Sequence, residues 1–351
     1  LLTGFFSLVI GVGAAWAVTM WAFPGRQLLS WMLVLPFAMP SYVAAMLYGY
    51  AFEAAGPIQT LIRDMTGLAY GQYPFFPIRS IGGVIVVLTL TLYPYCYLMA
   101  RAAFITQSKQ MLEIAQTLGL SNRESFCRIV LPMARPALMV SLALVMMEAL
   151  ADYGVVSLYG IPTFTTGIFR IWHGFYDPIA AARLASLLLL IVMAALWLEK
   201  RARGAASFDN RNALYHPIAP RPLRTSMMWL AVGMCALPVL FGFVLPAGMI
   251  AYFAVQHSDV FTDQATWQAT ANAVLIASLT AFFAGCIGLL FAYSLRGQHH
   301  RVFALLIRLA TSGYAMPGAI LAVGVLLCFM LLQHTLPHGS MLLTANLFAM
   351  V

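Results

Sequence analysis

Eight apolar runs, each close to the length that crosses a bilayer, alternate along the chain with short polar gaps. They fall approximately at 3–23, 28–53, 81–100, 136–158, 180–198, 227–255, 271–294 and 303–333. A helix rising about 1.5 Å per residue needs about 20 residues to cross roughly 30 Å of hydrocarbon. The pattern therefore predicts an all-α, polytopic transmembrane helical bundle. Pro36 and Pro40 lie in the second run, Pro94 in the third and Pro317 in the eighth. Prolines inside membrane helices usually kink rather than end them, so each run is read as one intact span.

The polar gaps set the orientation. Of 19 lysines and arginines, all but Arg63, Arg79, Arg170 and Arg183 fall at 24–27, 101–135, 199–226 and 295–302 or at Arg308. The positive-inside rule makes that set cytoplasmic. Composition sharpens the picture: 351 residues that are 62% hydrophobic and 9% charged, with mean hydropathy +0.87, hold more apolar side chain than the interior of a soluble domain of this size accommodates. A soluble enzyme is excluded. The net charge of +8 is dispersed among the gaps and not gathered on a solvated face, so nucleic acid is no partner, whereas membrane lipid is. Of the five cysteines, Cys96, Cys235, Cys286 and Cys328 sit in apolar runs and Cys127 in a polar one. No CxxC pair occurs, so small buried thiols are expected and neither a metal centre nor a cofactor is.

The chain also repeats itself. Gly13-Ala14-Ala15-Trp16-Ala17 matches Gly288-Leu289-Leu290-Phe291-Ala292, and Met39-Pro40 matches Met316-Pro317 at nearly the same offset. An even number of spans separates the copies, which gives them one orientation and disfavours inverted repeats. Three regions are expected: a first half at 1–198 with five spans, its own first span missing; a cytoplasmic linker at 199–226; and at 227–351 the first three spans of a second half. The opening Leu1 and the absence of a basic stretch ahead of Thr3 read as those of a piece of a longer sequence.

The longest polar gap of the first half carries a pattern of its own. Met111, Ile114, Ala115 and Leu118 fall at i, i+3, i+4 and i+7, one apolar stripe of a short helix. Gly119 follows, where helices often stop in the left-handed region. Ser121 stands three residues before Glu124, the spacing of a capping box that starts a second helix toward Ile129-Val130-Leu131. Pro132 and Pro136 then redirect the chain into the next span. A helix, a tight turn and another helix outside the membrane suit insertion into a groove on a soluble partner. An interfacial amphipathic helix is the plainer alternative.

Glu113, Ala115, Gly119, Ile129, Leu131 and Pro132 together resemble the EAA loop of the permease subunits of binding-protein-dependent ATP-binding-cassette importers, with Ile114 where alanine is usual. The resemblance implies an importer permease of the bacterial cytoplasmic, or inner, membrane. Its loop would dock on separate cytoplasmic ATPase subunits, two in number, and a periplasmic or extracellular solute-binding protein would feed it. The ATPase must be another polypeptide, because Lys109 and Lys200 are the only lysines and neither follows a GxxxxGK[ST] run. The segments 148–156 and 162–170 resemble the ferric-iron permeases, whose two halves are fused in one chain, with thiamine and phosphonate permeases as close relatives. That resemblance makes ferric iron the expected cargo.

Glu148 and Asp152, four residues apart within one run, are expected to share a helix face. Intramembrane carboxylates are costly and suggest a polar path, and with the Tyr153 phenol they offer a hard cation oxygen contacts. The alternative is that the pair bonds neighbouring helices as structural glue. An ion-coupled secondary transporter would need such carboxylates but no coupling loop. For an enzyme, no nucleophile, base and orienter set is present.

Overall fold

The computed structural model describes residues 1–106, 119, 121–203, 221–223, 225–297 and 318–335. Within them the protein is helical: α1 Leu2–Met20, α2 Arg26–Met32, α3 Ser41–Phe52, α4 Pro57–Thr66, α5 Ile81–Thr106, α6 Asn122–Ser125, α7 Leu131–Ala151, α8 Gly154–Leu158, α9 Phe164–Phe169, α10 Pro178–Arg203, α11 Thr225–Val239, α12 Leu245–Gln256, α13 Gln264–Gly297 and α14 Gly318–Thr335. Among the described residues six stretches are long and apolar enough to cross a membrane, or seven if the bent pair Arg26–Ala38 and Ser41–Thr66 is one span. Of the eighth expected span, 303–317 lie outside the described residues. Contacts divide the chain into two units, Leu1–Pro246 with Pro317–Val351, and Ala247–Met316.

The first unit is organised around α1, whose small residues let three helices approach it. Its glycines each meet a different neighbour. A Cβ at Gly4 would lie 2.7 Å from Leu142 Cδ1 on α7, at Gly11 2.6 Å from both Cys96 Cβ and Tyr97 N on α5, and at Gly13 3.2 Å from Met234 Sδ on α11. Without a hydrophobic driving force between helices in lipid, such close approach supplies the dispersion contacts that hold them together. Tyr93, Tyr97 and Phe104 on α5 fill the space between α1 and its neighbours, and all three are fully buried.

Three expectations are corrected here. The run 28–53 is not one intact span: α2 continues through a 3-10 turn, Leu35–Ala38, and meets α3 at 90°. Pro36 and Pro40 cause the break, since neither has an N–H and a residue before proline is driven out of the helical region. Met39, before Pro40, is extended at φ −96° and ψ 111°. Pro94, by contrast, sits inside a continuous α5. The run 136–158 ends early, at Ala151, and 154–158 is a separate helix. Pro132 and Pro136 do not redirect the chain, because α6, a π-helical turn at Phe126–Val130 and α7 follow one another directly.

Two further features were not expected. Within the linker, Arg221–Pro222 pairs in parallel with Trp21–Ala22 just after α1. Cys96 and Cys235 are buried as anticipated, but Cys286 and Cys328 lie on helix surfaces. In the second unit α13 runs for 34 residues with its apolar side chains exposed, preceded by a 3-10 turn, Ser258–Phe261. Trp267 Nε1 donates to Phe261 O at 2.7 Å there.

Gly11→Leu is expected to lower stability by about 1–3 kcal/mol, because backbone and not a flexible chain end blocks the added side chain. Gly13→Ala meets only the movable Met234 thioether and is expected to be near neutral. Thermal unfolding in detergent compares the two.

Candidate functional site

The left-handed Gly119 and the capping box after it both form. Gly119 adopts φ +79°, with no atom of the described residues within 4 Å of where a Cβ would stand, a conformation that costs any L side chain. Ser121 N donates to Glu124 Oε2 at 3.0 Å, Ser121 Oγ to the same oxygen at 2.8 Å, and Glu124 N returns a bond to Ser121 Oγ at 3.3 Å. These are the two reciprocal halves of a capping box. The Ser121 backbone N–H, followed by its hydroxyl, holds the Glu124 carboxyl below the usual carboxylate range. Arg128, at 3.8 Å and largely exposed, adds little. Glu113 and Ala115, and the rest of the helix inferred from Met111 to Leu118, lie outside the described residues.

Immediately after the box the helix widens. Leu131 N bonds Phe126 O, five residues back, because Pro132 has no N–H with which to continue the usual ladder. Ile129, Leu131 and Pro132 are half-buried and Val130 is buried. The turn is pinned by rings: Phe126 lies 4.4 Å from Trp16 on α1 and 6.3 Å from Phe104 on α5, and Trp16 meets Phe104 edge-on at 5.9 Å. Spacing along the chain could not reveal this trio, since its members come from α1, the end of α5 and the π-helical turn.

At the far end of α7 the three path candidates do not converge. Glu148 Oε1 accepts from Tyr95 OH at 3.4 Å, and the Tyr95 ring packs edge-on against Phe37 at 4.6 Å. Asp152 caps α7 one turn beyond Glu148, its N–H bonded to Glu148 O at 2.9 Å, and its ψ of 125° turns the chain away only after it. Its Oδ2 accepts from Ser41 Oγ and its Oδ1 from Val155 N, both at 2.9 Å. Thr165 Oγ1 donates to its carbonyl at 2.9 Å. Asp152 thus joins the end of α7 to the starts of α3, α8 and α9. Tyr153 turns elsewhere, 41% exposed, with its ring 4.3 Å from Phe169. No group of three His, Cys, Asp or Glu side chains among the described residues could hold a metal ion. Glue between helices is what this geometry fits. Ser41 and Thr165, which complete it, went unnoticed in the sequence, although Ser41 directly follows the repeated Met-Pro pair.

On the side that the charge rule makes external, the segment between α3 and α5 encloses an open cavity of about 310 Å³. Phe52, Gln59, Tyr73 and Phe75 line it, and the Glu53–Arg79 ion pair at 3.0 Å closes one edge.

The profile of the binding-protein-dependent transport system inner membrane component family matches residues 7–203, more than half of the sequence. The chain belongs to this family. That stretch of the inner membrane component holds the capped turn, the ring-pinned π turn and the Asp152 junction together. Similar proteins include the sulfate transport system permease protein CysT of Escherichia coli K12, 31% identical over 155 residues that make up 43% of this chain and 52% of that protein. CysW of the same organism, also a sulfate transport system permease protein, is 30% identical over 152 residues, 43% of this chain and 50% of that one. The Fe(3+)-transport system permease protein FbpB 2 of Haemophilus influenzae is 23% identical over 260 residues, 71% of this chain and 50% of that protein. The chain spans about half the length of these curated relatives.

The depressed carboxyl of Glu124 gives the cap a pH dependence of known sign. The bond contributes fully above the ordinary glutamate range near about 4.3 and is lost as pH falls through the lowered value. Amide exchange at Asn122–Ser125, corrected for the intrinsic rate at each pH, is expected to accelerate only on that acid side. Ser121→Ala should raise local opening on the order of fivefold at neutral pH.

Proposed function

We propose that this inner membrane component is the translocation subunit of an importer powered by ATP hydrolysed on separate cytoplasmic subunits, two in number. In this reading the stretch Glu113–Pro132 is the surface that those subunits grip. The observation that carries it is the left-handed Gly119 followed by a complete capping box that leads without interruption into α7. A short, rigid, exposed turn welded to a membrane helix transmits displacement, whereas an interfacial helix would have no need of the weld. The chain itself performs no covalent chemistry and acts by position. A solute-binding protein delivers the cargo from outside, where the cavity beside Glu53 and Arg79 offers an aromatic recess. The two tandem halves, 1–198 and 227–351 with the linker 199–226 between them, would rock against each other to alternate access.

For the cargo we favour ferric iron. The iron-permease relative aligns over 71% of the chain, more than residues 1–203 can supply, so the similarity extends past the linker as a fused two-half importer requires. Glu148, Asp152 and Tyr153 lie beside the path in this reading, Asp152 chiefly as the junction that shapes it. Sulfate is the second reading, favoured by the higher identity of the sulfate permeases over the first half.

Gly119→Val places a β-branched residue at positive φ, which is strongly disfavoured. It is expected to reduce uptake by a factor of about ten or more and to abolish co-purification of an ATPase, with extraction and monodispersity unchanged. Retained association would reject the coupling role. Uptake of radioactive ferric iron and of radioactive sulfate into cells carrying the full-length protein decides the cargo. Asp152→Ala, which leaves Ser41 Oγ and Val155 N without their acceptor, is expected to lower uptake while the ATPase stays bound; unchanged uptake would remove Asp152 from the path.

A further inference from the structure

Helix α10 has two opposed faces. Ala181, Ala185, Leu188 and Val192 form one stripe, buried against α9 and α14. The opposite stripe contains Leu190, Ala194 and Trp197 and is exposed; Leu190 is 66% and Trp197 56% accessible. Arg183 and Arg201, both exposed, stand at the two ends of that same stripe. They are 18 residues apart, five full turns, so they lie in line about 27 Å from each other along the helix. That distance matches the hydrocarbon thickness of a bilayer, roughly 30 Å.

The charges say what covers this face. An apolar stripe closed by an arginine at each end, one bilayer thickness apart, complements two planes of phosphate with acyl chains between them. A neighbouring helix bundle would offer no such pair of anionic planes. At the inner end the side chains are already arranged: the Arg201 guanidinium carbon sits 5.1 Å above the Trp197 ring centroid. Stacking on the indole orients the planar guanidinium, and an indole at the headgroup level is at its preferred depth. Lys200 and Arg203 flank the position in the sequence and add positive potential on the cytoplasmic side.

We propose that this face of α10 lies against lipid, and that Trp197 and Arg201 form a site for an anionic phospholipid headgroup in the cytoplasmic leaflet. The phosphate takes two parallel N–H bonds from Arg201, the acyl chain runs along Ala194 and Leu190, and the indole edge lies beside the glycerol. The site is independent of the cargo and of the ATPase contact.

The full chain reconstituted into phosphatidylcholine vesicles tests this. The vesicles carry either brominated phosphatidylglycerol or brominated phosphatidylcholine at equal mole fraction, and the readout is the quenching of Trp197, isolated by subtracting a Trp197→Phe control. Brominated phosphatidylglycerol is expected to quench about twofold or more strongly. Arg201→Gln, against its own control, should abolish that preference, and Arg183→Gln should leave it intact. Size-exclusion profiles of the variants confirm that these surface changes do not disturb the fold. Equal quenching by both lipids would mean an ordinary lipid annulus and would overturn the site. Absence of quenching by either would mean that protein covers the face and would overturn the whole assignment.

Discussion

A helix that breaks inside a membrane must still satisfy its backbone, since hydrocarbon offers no hydrogen bonds. Much of the first unit follows from how this chain meets that requirement. At the end of α2 the Val34 N–H turns to Trp31 O, which frees the Ser30 carbonyl, and Tyr97 OH donates to it at 2.7 Å. Past Pro238 the helix widens at Leu240–Val244, and the residue five beyond Phe241 is Pro246, which has no N–H. There Tyr48 OH donates to Phe241 O. After α7, Thr165 serves the Asp152 carbonyl. Each of these three breaks is thus closed by a hydroxyl from another element, so the repair is also a tertiary contact.

This coupling explains the placement of Tyr48 and Tyr97, whose hydroxyls reach those carbonyls. Tyr93 and Tyr97 face the core and Tyr95 faces away toward Phe37 and Glu148. The alternation of Tyr93, Tyr95 and Tyr97 is a division of labour across one helix. Asp152 works in the same manner: a carboxylate that would be costly alone is bonded by a hydroxyl and a backbone N–H, and in return it fixes where three helices begin.

The elements that local chemistry dictates were legible in the sequence. Gly119, Ser121 and Glu124 are within six residues of one another, and the turn they predict needs no distant partner. The long apolar runs were equally plain, because burial in lipid demands length and composition alone. What escaped depended on groups far apart in the chain. Pro94 and the Pro36, Pro40 pair read alike in the sequence and behave differently, since α5 runs on through Pro94 whereas the chain bends by 90° at the pair. The same holds for Glu148 and Asp152: their one-turn spacing was legible, but their separate partners, Tyr95 OH for the one and Ser41 Oγ with Val155 N–H for the other, were not. The Trp21–Ala22 and Arg221–Pro222 pairing, two hundred residues apart, left no local trace.

In the coupling reading proposed above, the ring contacts at Phe126 have a mechanical meaning. From Asn122 to Phe126 the helix rises about 6 Å, and from Phe126 to Ala151 about 38 Å. With Trp16 and Phe104 acting as a fulcrum, the two arms make an unequal lever, so a small tilt imposed on the short arm reaches Ala151 magnified about sixfold and opposite in sense. The widened turn lies at the pivot itself, and the rings packed against it brace the two arms so that they turn as one body.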